Sequence, residues 1–285
     1  DVGPIDGLDL HCHAHWLCAD SFPWQHHFAG GRRGTKNVTV KNNLLEDLGN
    51  RHAAAVGIYG YDWGVPSENV IVEGNTIIGA KNAVLLSGVL DGVTVRKNAC
   101  SGHLSKIAYT QTTMTSIYGT EAASVYKDIL IEKNTLDTVS GEVMISFNLT
   151  KTPAFDGQLL DLGINDNHIT NTGAVPYVID INVAGNNKVT LIDVKGNKAK
   201  VDAILLRVQE AASVDIKENT RRGTGGANDI SNCDIVYEEK NILYNGQIKG
   251  ISALVSGTVT VPTVEVVSGD AIKLTRTQSG GSIGL

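Results

Sequence analysis

A short unit of alternating apolar and polar residues recurs along most of the chain. At 69–75 it reads Asn-Val-Ile-Val-Glu-Gly-Asn, a strand closed by a turn and an asparagine. A repeat of roughly 20–50 residues is typical of a solenoid, and the two-residue alternation inside each unit indicates strands rather than helices. The closing asparagines of the successive units are Asn43, Asn75, Asn98, Asn134, Asn167, Asn197, Asn219 and Asn241.

The alternation also predicts how the coils stack. Successive side chains of a strand point to opposite faces, so Val70 and Val72 are predicted to face inward, and Ile71 and Glu73 outward. With coils about 4.8 Å apart, the Val, Ile and Leu positions form a continuous core. The closing asparagines then share one corner, where we expect their amides to hydrogen-bond from coil to coil and to adopt a left-handed turn conformation.

A second class of apolar strand lies between the asparagine units. We place it at 56–61, 83–87, 143–147, 177–182 and 203–207, and residues 7–12 fit the same class one coil earlier. The segments 99–126 and 148–160 are longer than a tight corner requires. They are predicted to be loops, which either form a binding surface or are tolerated insertions.

The strand units and the asparagine corner resemble the right-handed parallel β-helix of the pectate-lyase-like superfamily. Handedness is implied by that resemblance and not by the spacing. We expect an N-terminal coil with a His-, Trp- and Arg-rich loop at 1–36, a β-helix body at 37–250 and a truncated C-terminal β-strand module at 251–285. The last part resembles a stretch near the C-termini of phage tail and fibre proteins. The whole layout resembles a bacteriophage tailspike, a family of homotrimers; a simple solenoid cap at 251–285 is the alternative.

Composition narrows these expectations. The chain has 285 residues, a net charge of −6 and 5% aromatic residues, which suits a narrow interior filled by aliphatic side chains. The negative charge disfavours nucleic acid as a partner. The absence of an apolar run of about 18 residues predicts no membrane insertion. The chain starts without Met and within the repeat pattern, so we expect a piece of a longer protein. Four cysteines without CxxC spacing are expected to be buried thiols.

The alternation around Asp9 predicts a chemically active wall. Every second residue there is apolar, so the residues between them should share the outward face. In the next strand of the same predicted class, Tyr59 and Tyr61 face outward. Stacking would then place Asp, His and Tyr side by side, the contributing residues of the first strand being Asp9, His11, His13 and His15.

Two short family resemblances fall on this strand. The segment from Asp6 to Asp9 resembles the Asp-Gly-x-Asp motif of polygalacturonases, in which the first Asp is catalytic, although the other motifs of that family are missing. The segment ending in His11 resembles the Gly-Phe-Asp-Pro-His motif of mannuronan C5-epimerases, in which Asp and His are catalytic. The Tyr that precedes the epimerase motif is replaced by Asp6. The resemblances therefore imply catalytic roles for Asp6, Asp9 or His11 and leave the reaction open.

The candidate residues fit two kinds of chemistry. Glycosidic hydrolysis needs two carboxyl groups about 5 to 9.5 Å apart, for which the candidates are Asp6, Asp9, Glu46, Asp47 and Asp62. A lyase or epimerase needs a base and a cation, for which the candidates are His11, Tyr59 and Tyr61 with Arg32, Arg33 and Arg51. We expect substrate contacts from Tyr59, Tyr61, Asp62, Trp63, Arg32, Arg33, Arg51, His52 and Trp24. The spacing of His11, His13 and His15 also suits a divalent metal; no other cofactor is expected.

Three functions follow from these observations. The first is a tailspike-type protein of the virion tail that binds a bacterial capsule, lipopolysaccharide or exopolysaccharide and cleaves it by acid/base glycosidic hydrolysis. The second is a secreted lyase or C5-epimerase that acts on a uronate polymer. The third is a non-catalytic β-helix adhesin. All three predict an extracellular protein with a polysaccharide or a cell surface as its partner, and the first predicts a homotrimer.

Overall fold

The computed structural model describes residues 5–6, 9–10, 35–46, 54–59, 67–80, 82–102, 106–110, 114–115, 121–122, 125–139, 141–150, 158–184, 189–244, 251–255 and 258–263. These residues form strands and turns, and they contain no helix. Three sheets with mainly parallel pairing surround one apolar core. The chain is therefore an all-β parallel β-helix, and the prediction from the repeat is confirmed.

The strands fall into three long sheets and one small one. The first sheet contains Ile5–Asp6, Asp9–Leu10, Thr35–Lys36, Thr39–Lys41, Ser67–Glu73, Val89–Arg96, Val125–Glu132, Gln158–Leu159, Leu162–Asn165, Val189–Lys195, Ala211–Lys217, Ile235–Glu239, Ile251–Val255 and Thr258–Thr263. The second contains Leu44–Glu46, Thr76–Ile78, Ala99–Gly102, Thr135–Thr138, His168–Asn171, Lys198–Lys200, Thr220–Arg222 and Ile242–Tyr244. The third contains Val56–Tyr59, Asn82–Ser87, Lys106–Thr110, Ile145–Thr150, Tyr177–Ala184, Ile204–Gln209 and Asp229–Ser231. Met114–Thr115 and Glu121–Ala122 form an antiparallel pair.

Each complete coil runs from the first sheet through the asparagine corner to the second sheet, and then to the third. The predicted second class of strand is the third sheet, but two of its members, Lys106–Thr110 and Asp229–Ser231, were not expected. Lys106–Thr110 lies inside the segment 99–126 that was predicted to be a loop, as does Ala99–Gly102 of the second sheet. Their inward residues are partly the small Cys100 and Ala108, both buried, which weakens the apolar alternation. The loop prediction is wrong for the nine residues of these two strands.

The strand at Asp9–Leu10 also differs from its prediction. It pairs in parallel with Thr39–Lys41, so it belongs to the first sheet and not to the sheet of Val56–Tyr59. Strands of the first and third sheets have the same two-residue alternation. That pattern predicts which residues face inward, but it does not say which side of the solenoid a strand occupies.

Inward residues of the first sheet form continuous columns. Val70 and Val72 are buried, as predicted, while Ile71 and Glu73 are not. β-Branched side chains pack well on such a pleated surface, because each one contacts the equivalent residue of the next coil. One buried column consists of Val40, Val72, Val95, Ile131, Ile164, Val194 and Ile216.

The predicted asparagine ladder is confirmed. Oδ1 of Asn134 accepts from the backbone N–H of Asn98 at 3.0 Å and from its Nδ2 at 2.9 Å. Nδ2 of Asn134 donates to Oδ1 of Asn167 at 3.0 Å and to the carbonyl of Val95 at 2.9 Å. All eight predicted members are buried, and consecutive members from Asn43 to Asn241 are joined by the same amide contact.

The left-handed residue of each corner is not the asparagine that was predicted. It is the residue immediately before, with φ between 51 and 67°. The ladder asparagine is needed inside for its hydrogen bonds, so the preceding exposed or half-exposed residue makes the turn. Glycine supplies this conformation without steric cost at only two corners. The left-handed corner residues are Asn42, Gly74, Lys97, Lys133, Asp166, Gly196, Glu218 and Lys240.

The charged side chain of Arg221 lies in the core. Arg221 takes an inward position of the second sheet above the small Ala199 and is 1% exposed. Its guanidinium donates to the carbonyls of Ala203, Gly225 and Gly226 at 2.7 to 3.0 Å. Burial lowers its pKa. The arginine therefore holds the turn at 223–226 against the coil below by binding backbone carbonyls in place of a carboxylate.

Parallel stacking ends after the coil of Ile235–Glu239. Ile251–Val255 pairs with that strand in antiparallel orientation, and Thr258–Thr263 pairs with Ile251–Val255 in the same way. Antiparallel strands cannot continue the coil, so the solenoid stops here.

Candidate functional site

Charged side chains form columns on the outer face of the first sheet. In its N-terminal half they are paired: Arg96 and Lys97 contact Glu73 at 2.9 and 3.0 Å, and Lys127 contacts Asp91 at 2.9 Å. Hydrogen bonds from Arg96 and Lys97 lower the pKa of Glu73. Opposite charges on neighbouring strands support the pairing of the coils. We therefore interpret this half of the face as structural.

Nearer the C-terminus the same face carries a pair of carboxyl groups. Asp193 and Asp215 occupy the same position on adjacent parallel strands, Val189–Lys195 and Ala211–Lys217. Neighbouring strands lie about 4.8 Å apart, so these side chains are immediate neighbours. Tyr237 takes the same position on the next strand. The outward positions around them hold Leu191, Ser213, Ile235, Lys195, Lys217 and Glu239.

The two carboxyl groups have different surroundings. Burial raises the pKa of Asp193, and the neighbouring charge of Asp215 raises it further, while Lys217 and Lys195 oppose the shift. Oδ2 of Asp215 accepts a hydrogen bond of 2.6 Å from Lys217, which raises the pKa of that lysine. Oδ1 of Asp215 is buried without a hydrogen-bond partner among the described residues. Asp193 therefore keeps its proton to a higher pH than an isolated aspartate does, and it lies beside a carboxyl group that is bound to a lysine.

An aromatic ring and two aliphatic side chains border the carboxyl pair. The hydroxyl of Tyr237 donates to Glu239 at 2.8 Å, which raises the pKa of the phenol. Nζ of Lys217 lies 4.8 Å from the centre of the ring. Leu191 and Ile235 are exposed at the preceding outward position. Ring faces and aliphatic groups beside polar groups suit a sugar, which has both kinds of surface.

This arrangement contains the groups that glycosidic cleavage requires. One carboxyl must be protonated to donate to the leaving oxygen, and the other must be ionised. The backbones of neighbouring strands lie about 4.8 Å apart, a spacing comparable with the about 5–5.5 Å between the two carboxyl groups of retaining glycosidases. Both side chains project from strands, which hold a side chain more precisely than loops do.

A second polar cluster lies on the outer face of the third sheet. Arg207 donates to the two oxygens of Asp180 at 2.7 and 2.6 Å, and its guanidinium lies 4.4 Å from the ring centre of Tyr177. The hydroxyl of Tyr177 donates to Asp229 at 3.1 Å. The bond to Asp180 raises the pKa of Arg207. Because these groups bind one another, we interpret the cluster as a brace between three coils.

The predicted site residues whose backbones are described do not come together. Asp9 lies in the first sheet, Glu46 in the second and Tyr59 in the third. Asp6 is in the first sheet, in register with Lys36. The assignment of 7–12 to the strand class of 56–61 is therefore wrong for Asp9–Leu10. The predicted wall of Asp, His and Tyr rested on that assignment, and it stays a prediction because its histidines lie outside the described residues.

Asp9 is aligned with the carboxyl pair along the first sheet but lies far from it. Asp9 stands in the same column as Asp193, six strands away, which is about 29 Å at the usual strand spacing. The side chains of Asp6, Asp9, Glu46 and Tyr59 are outside the described part. The remaining predicted site residues lie entirely outside it: His11, His13, His15, Trp24, Arg32, Arg33, Asp47, Arg51, His52, Tyr61, Asp62 and Trp63.

The repeat itself contains a sequence signal for the carboxyl pair, which the family motifs do not contain. Asp193, Asp215 and Tyr237 each precede the closing asparagine of their unit by four residues. Since the asparagines stack, equal offsets place residues side by side. Alignment of the repeats on the ladder would therefore have identified Asp193 and Asp215 as neighbours without any family motif.

The described cysteines and acids indicate neither a reactive thiol nor a metal centre. Cys100 is buried, and burial raises its pKa to about 12; Sγ of Cys233 donates to a backbone carbonyl at 3.3 Å. Among the residues with described positions, no group of three or more His, Cys, Asp or Glu is placed to hold a metal ion. Cys12 and Cys18 lie outside that set, as do the three histidines of the predicted metal site. The described part also includes no helix that is long and apolar enough to cross a membrane.

Comparison with known proteins gives a similarity in fold. No family model matches the chain, and no curated protein matches it. Among solved structures, it is similar to PfbA, a surface adhesin of Streptococcus pneumoniae, with 12% sequence identity and a TM-score of 0.42. The match covers 80% of this chain and 52% of that one, so the chain spans about half the length of the solved structure. A similarity at this level supports no inference about activity.

Proposed function

We propose that the protein binds a bacterial surface polysaccharide and cleaves its glycosidic bonds on the outer face of the first sheet. The observation that carries the proposal is the carboxyl pair itself: Asp193, with a raised pKa, lies beside Asp215, which is bound to a lysine. The two carboxyl groups thus differ in their surroundings, and the raised pKa of Asp193 supports the role of general acid for that residue.

The reaction has two steps. A carboxylate oxygen of Asp215 attacks the anomeric carbon while Asp193 gives its proton to the leaving glycosidic oxygen, so one C–O bond forms as another breaks. Water then attacks the glycosyl ester, Asp193 takes a proton from the water, and Asp215 is released as carboxylate. The neighbouring-strand spacing predicts a product that keeps its anomeric configuration.

The alternative reaction, β-elimination from a uronate polymer, fits the pair less well. It needs a base for the proton next to the uronate carboxyl group. Tyr237 is the phenol closest in register to the acids. Its pKa is raised, so it is a poor base at neutral pH.

A second candidate function is binding without cleavage. Lys217 holds Asp215 at 2.6 Å, and a charge that stays in this ion pair does not attack a sugar. The apolar and aromatic border would then present a recognition surface only, as in an adhesin.

For either function we propose an extracellular protein that assembles as a homotrimer, in a virion tail or as a secreted protein. Light scattering on the intact protein tests the assembly, and a monomer mass would contradict the tailspike layout.

The three functions are separated by one assay of the whole protein. A panel of capsular polysaccharides, lipopolysaccharides and exopolysaccharides is incubated with the chain, and reducing ends and the absorbance of unsaturated uronates are measured. Hydrolysis predicts new reducing ends without that absorbance. The appearance of both signals would overturn hydrolysis in favour of a lyase, and binding with neither signal would establish the non-catalytic function.

A further inference from the structure

The second sheet carries a group of cations on its outer face, around the asparagine corner from the carboxyl pair. Lys198 and Lys200 are exposed on one strand, on either side of the buried Ala199. Arg222 is exposed on the next strand, in register with Lys200. On the strand before, His168 is in register with Lys198. Four side chains that donate hydrogen bonds or carry positive charge thus lie on one flat surface, which we call the cationic face: His168, Lys198, Lys200 and Arg222.

Most other exposed cations of the structure are engaged by acids. Lys127 contacts Asp91 at 2.9 Å and Lys133 contacts Glu132 at 3.3 Å. Lys198 and Lys200 have no ion pair among the described residues, and the same holds for Arg222. The register partners of the cationic face are hydroxyl residues, Thr170 beside Lys200 and Thr220 beside Lys198. The nearest acid in the same column is Asp137, two strands from Lys200.

The lack of ion pairs is informative in a protein of net charge −6. Like charges on neighbouring strands repel, so Lys200 beside Arg222 costs stability unless an external anion is bound. Backbone spacing fixes the positions: strands lie about 4.8 Å apart, and residues i and i+2 of a strand about 6.7 Å apart. A rigid set of cations at these intervals suits an extended polymer with regularly spaced anionic groups.

We propose that the cationic face binds an anionic polysaccharide through the carboxylate or sulfate groups of successive sugars. Single-stranded nucleic acid fits less well, because the three strands His168–Asn171, Lys198–Lys200 and Thr220–Arg222 contain no Tyr, Trp or Phe on which a base could stack. The cationic face is distinct from the carboxyl pair. The proposal concerns binding alone and does not depend on whether the chain cleaves its ligand.

A comparison of two triple variants tests the proposal. The first, Lys198→Gln/Lys200→Gln/Arg222→Gln, removes the cationic face. The control, Lys97→Gln/Lys127→Gln/Lys133→Gln, removes the same charge from exposed lysines that already have acid partners. Binding of polygalacturonate, dextran sulfate, neutral dextran and double-stranded DNA is measured for both and for the unchanged chain. Melting temperatures verify that all three are folded.

The expected result is binding of at least one anionic polysaccharide and not of neutral dextran, weakened about tenfold in the first variant and little changed in the control. A tenfold change corresponds to about 1.4 kcal/mol, which three surface charge contacts can supply together. Preference for polygalacturonate or for dextran sulfate identifies the anionic group. Equal losses of affinity in both variants would show that binding depends on net charge and not on the cationic face. DNA binding that is tighter than polysaccharide binding, and that is lost in the first variant, would identify nucleic acid as the ligand. Either result, or no binding of any polymer, overturns the proposal.

Discussion

A single side chain, Asn134, joins three successive coils. Its amide accepts twice from Asn98 in the coil below and donates to Asn167 in the coil above. It also donates to the carbonyl of Val95. Every donor and acceptor of the amide is used, and the residue is fully buried. The ladder thereby satisfies backbone groups that a sharp corner would otherwise leave without partners.

We predict that replacement of Asn134 causes a large loss of stability. Asn134→Ala leaves the N–H of Asn98 and the carbonyl of Val95 buried without these partners, at about 1–3 kcal/mol for each unsatisfied group. We expect a loss of at least about 3 kcal/mol in urea unfolding. The control is Asn69→Gly. Asn69 belongs to an exposed asparagine pair with Asn37 and has a left-handed backbone, and the equivalent residue of the next coil is Gly92, so glycine fits this position. Similar losses in the two variants would contradict the role of the ladder.

The raised pKa of Asp193 has a consequence for stability. Well below the usual Asp value of about 3.9, the carboxyl group is protonated in the folded and in the unfolded chain; as pH rises, the unfolded chain loses its proton first. The free energy of unfolding therefore falls as pH rises toward the folded-state pKa. Asp193→Asn removes this penalty, so the variant should melt at a higher temperature than the unchanged chain at neutral pH, and the gain should shrink toward acid pH. A variant less stable at neutral pH would refute the assigned shift.

At the scale of elements, an ion pair with two parallel hydrogen bonds joins neighbouring strands of the third sheet. Arg207 and Asp180 are joined by two hydrogen bonds, and the side chain of Asp180 is only 9% exposed. Two parallel charge-assisted bonds are stronger than a single exposed contact. The pair joins Tyr177–Ala184 to Ile204–Gln209.

Loss of this brace should cost more than loss of an exposed ion pair. Asp180→Ala leaves a half-buried guanidinium without its acid, for which we expect about 2–3 kcal/mol in chemical unfolding. Asp91→Ala, which breaks the exposed contact with Lys127, should cost no more than about 1 kcal/mol. If the two variants lose equal stability, the brace has no special role.

Strand alternation predicts some properties of these elements and not others. It predicted the inward Val70 and Val72, and the period predicted the ladder, because both depend on local geometry that repeats. It did not predict Lys106–Thr110, whose inward residues include a small Ala108. It also misplaced Asp9–Leu10, because sheets that share one alternation are distinguished only by tertiary contacts. Arg221 in the core follows from no local rule, since its partners are carbonyls of the turn at 223–226 and of Ala203.

Across the whole molecule, the charges divide the solenoid into two parts. Acids and bases of the N-terminal coils are matched on the first sheet, as in Glu73 with Arg96. Near the C-terminal end, two acids lie side by side on the first sheet, and the second sheet carries Lys198, Lys200 and Arg222, which have no ion pair with any residue that the structure describes. The candidate site predicted from family-like motifs depended on segments that the structure places on different faces. The site found here depended on equal offsets from the ladder, which the sequence does contain.

The central claim, that Asp193 and Asp215 cleave a glycosidic bond, is tested most directly by the rate of reducing-end release from the polysaccharide that the chain degrades. We predict that Asp193→Asn and Asp215→Asn each lower kcat/KM by about 10²–10⁴-fold with the fold retained. Asp91→Asn, a paired carboxylate on the same sheet face, should retain nearly full activity. Unchanged release by the Asp193→Asn and Asp215→Asn variants, in folded protein, would contradict the account and exclude this carboxyl pair as the catalytic site.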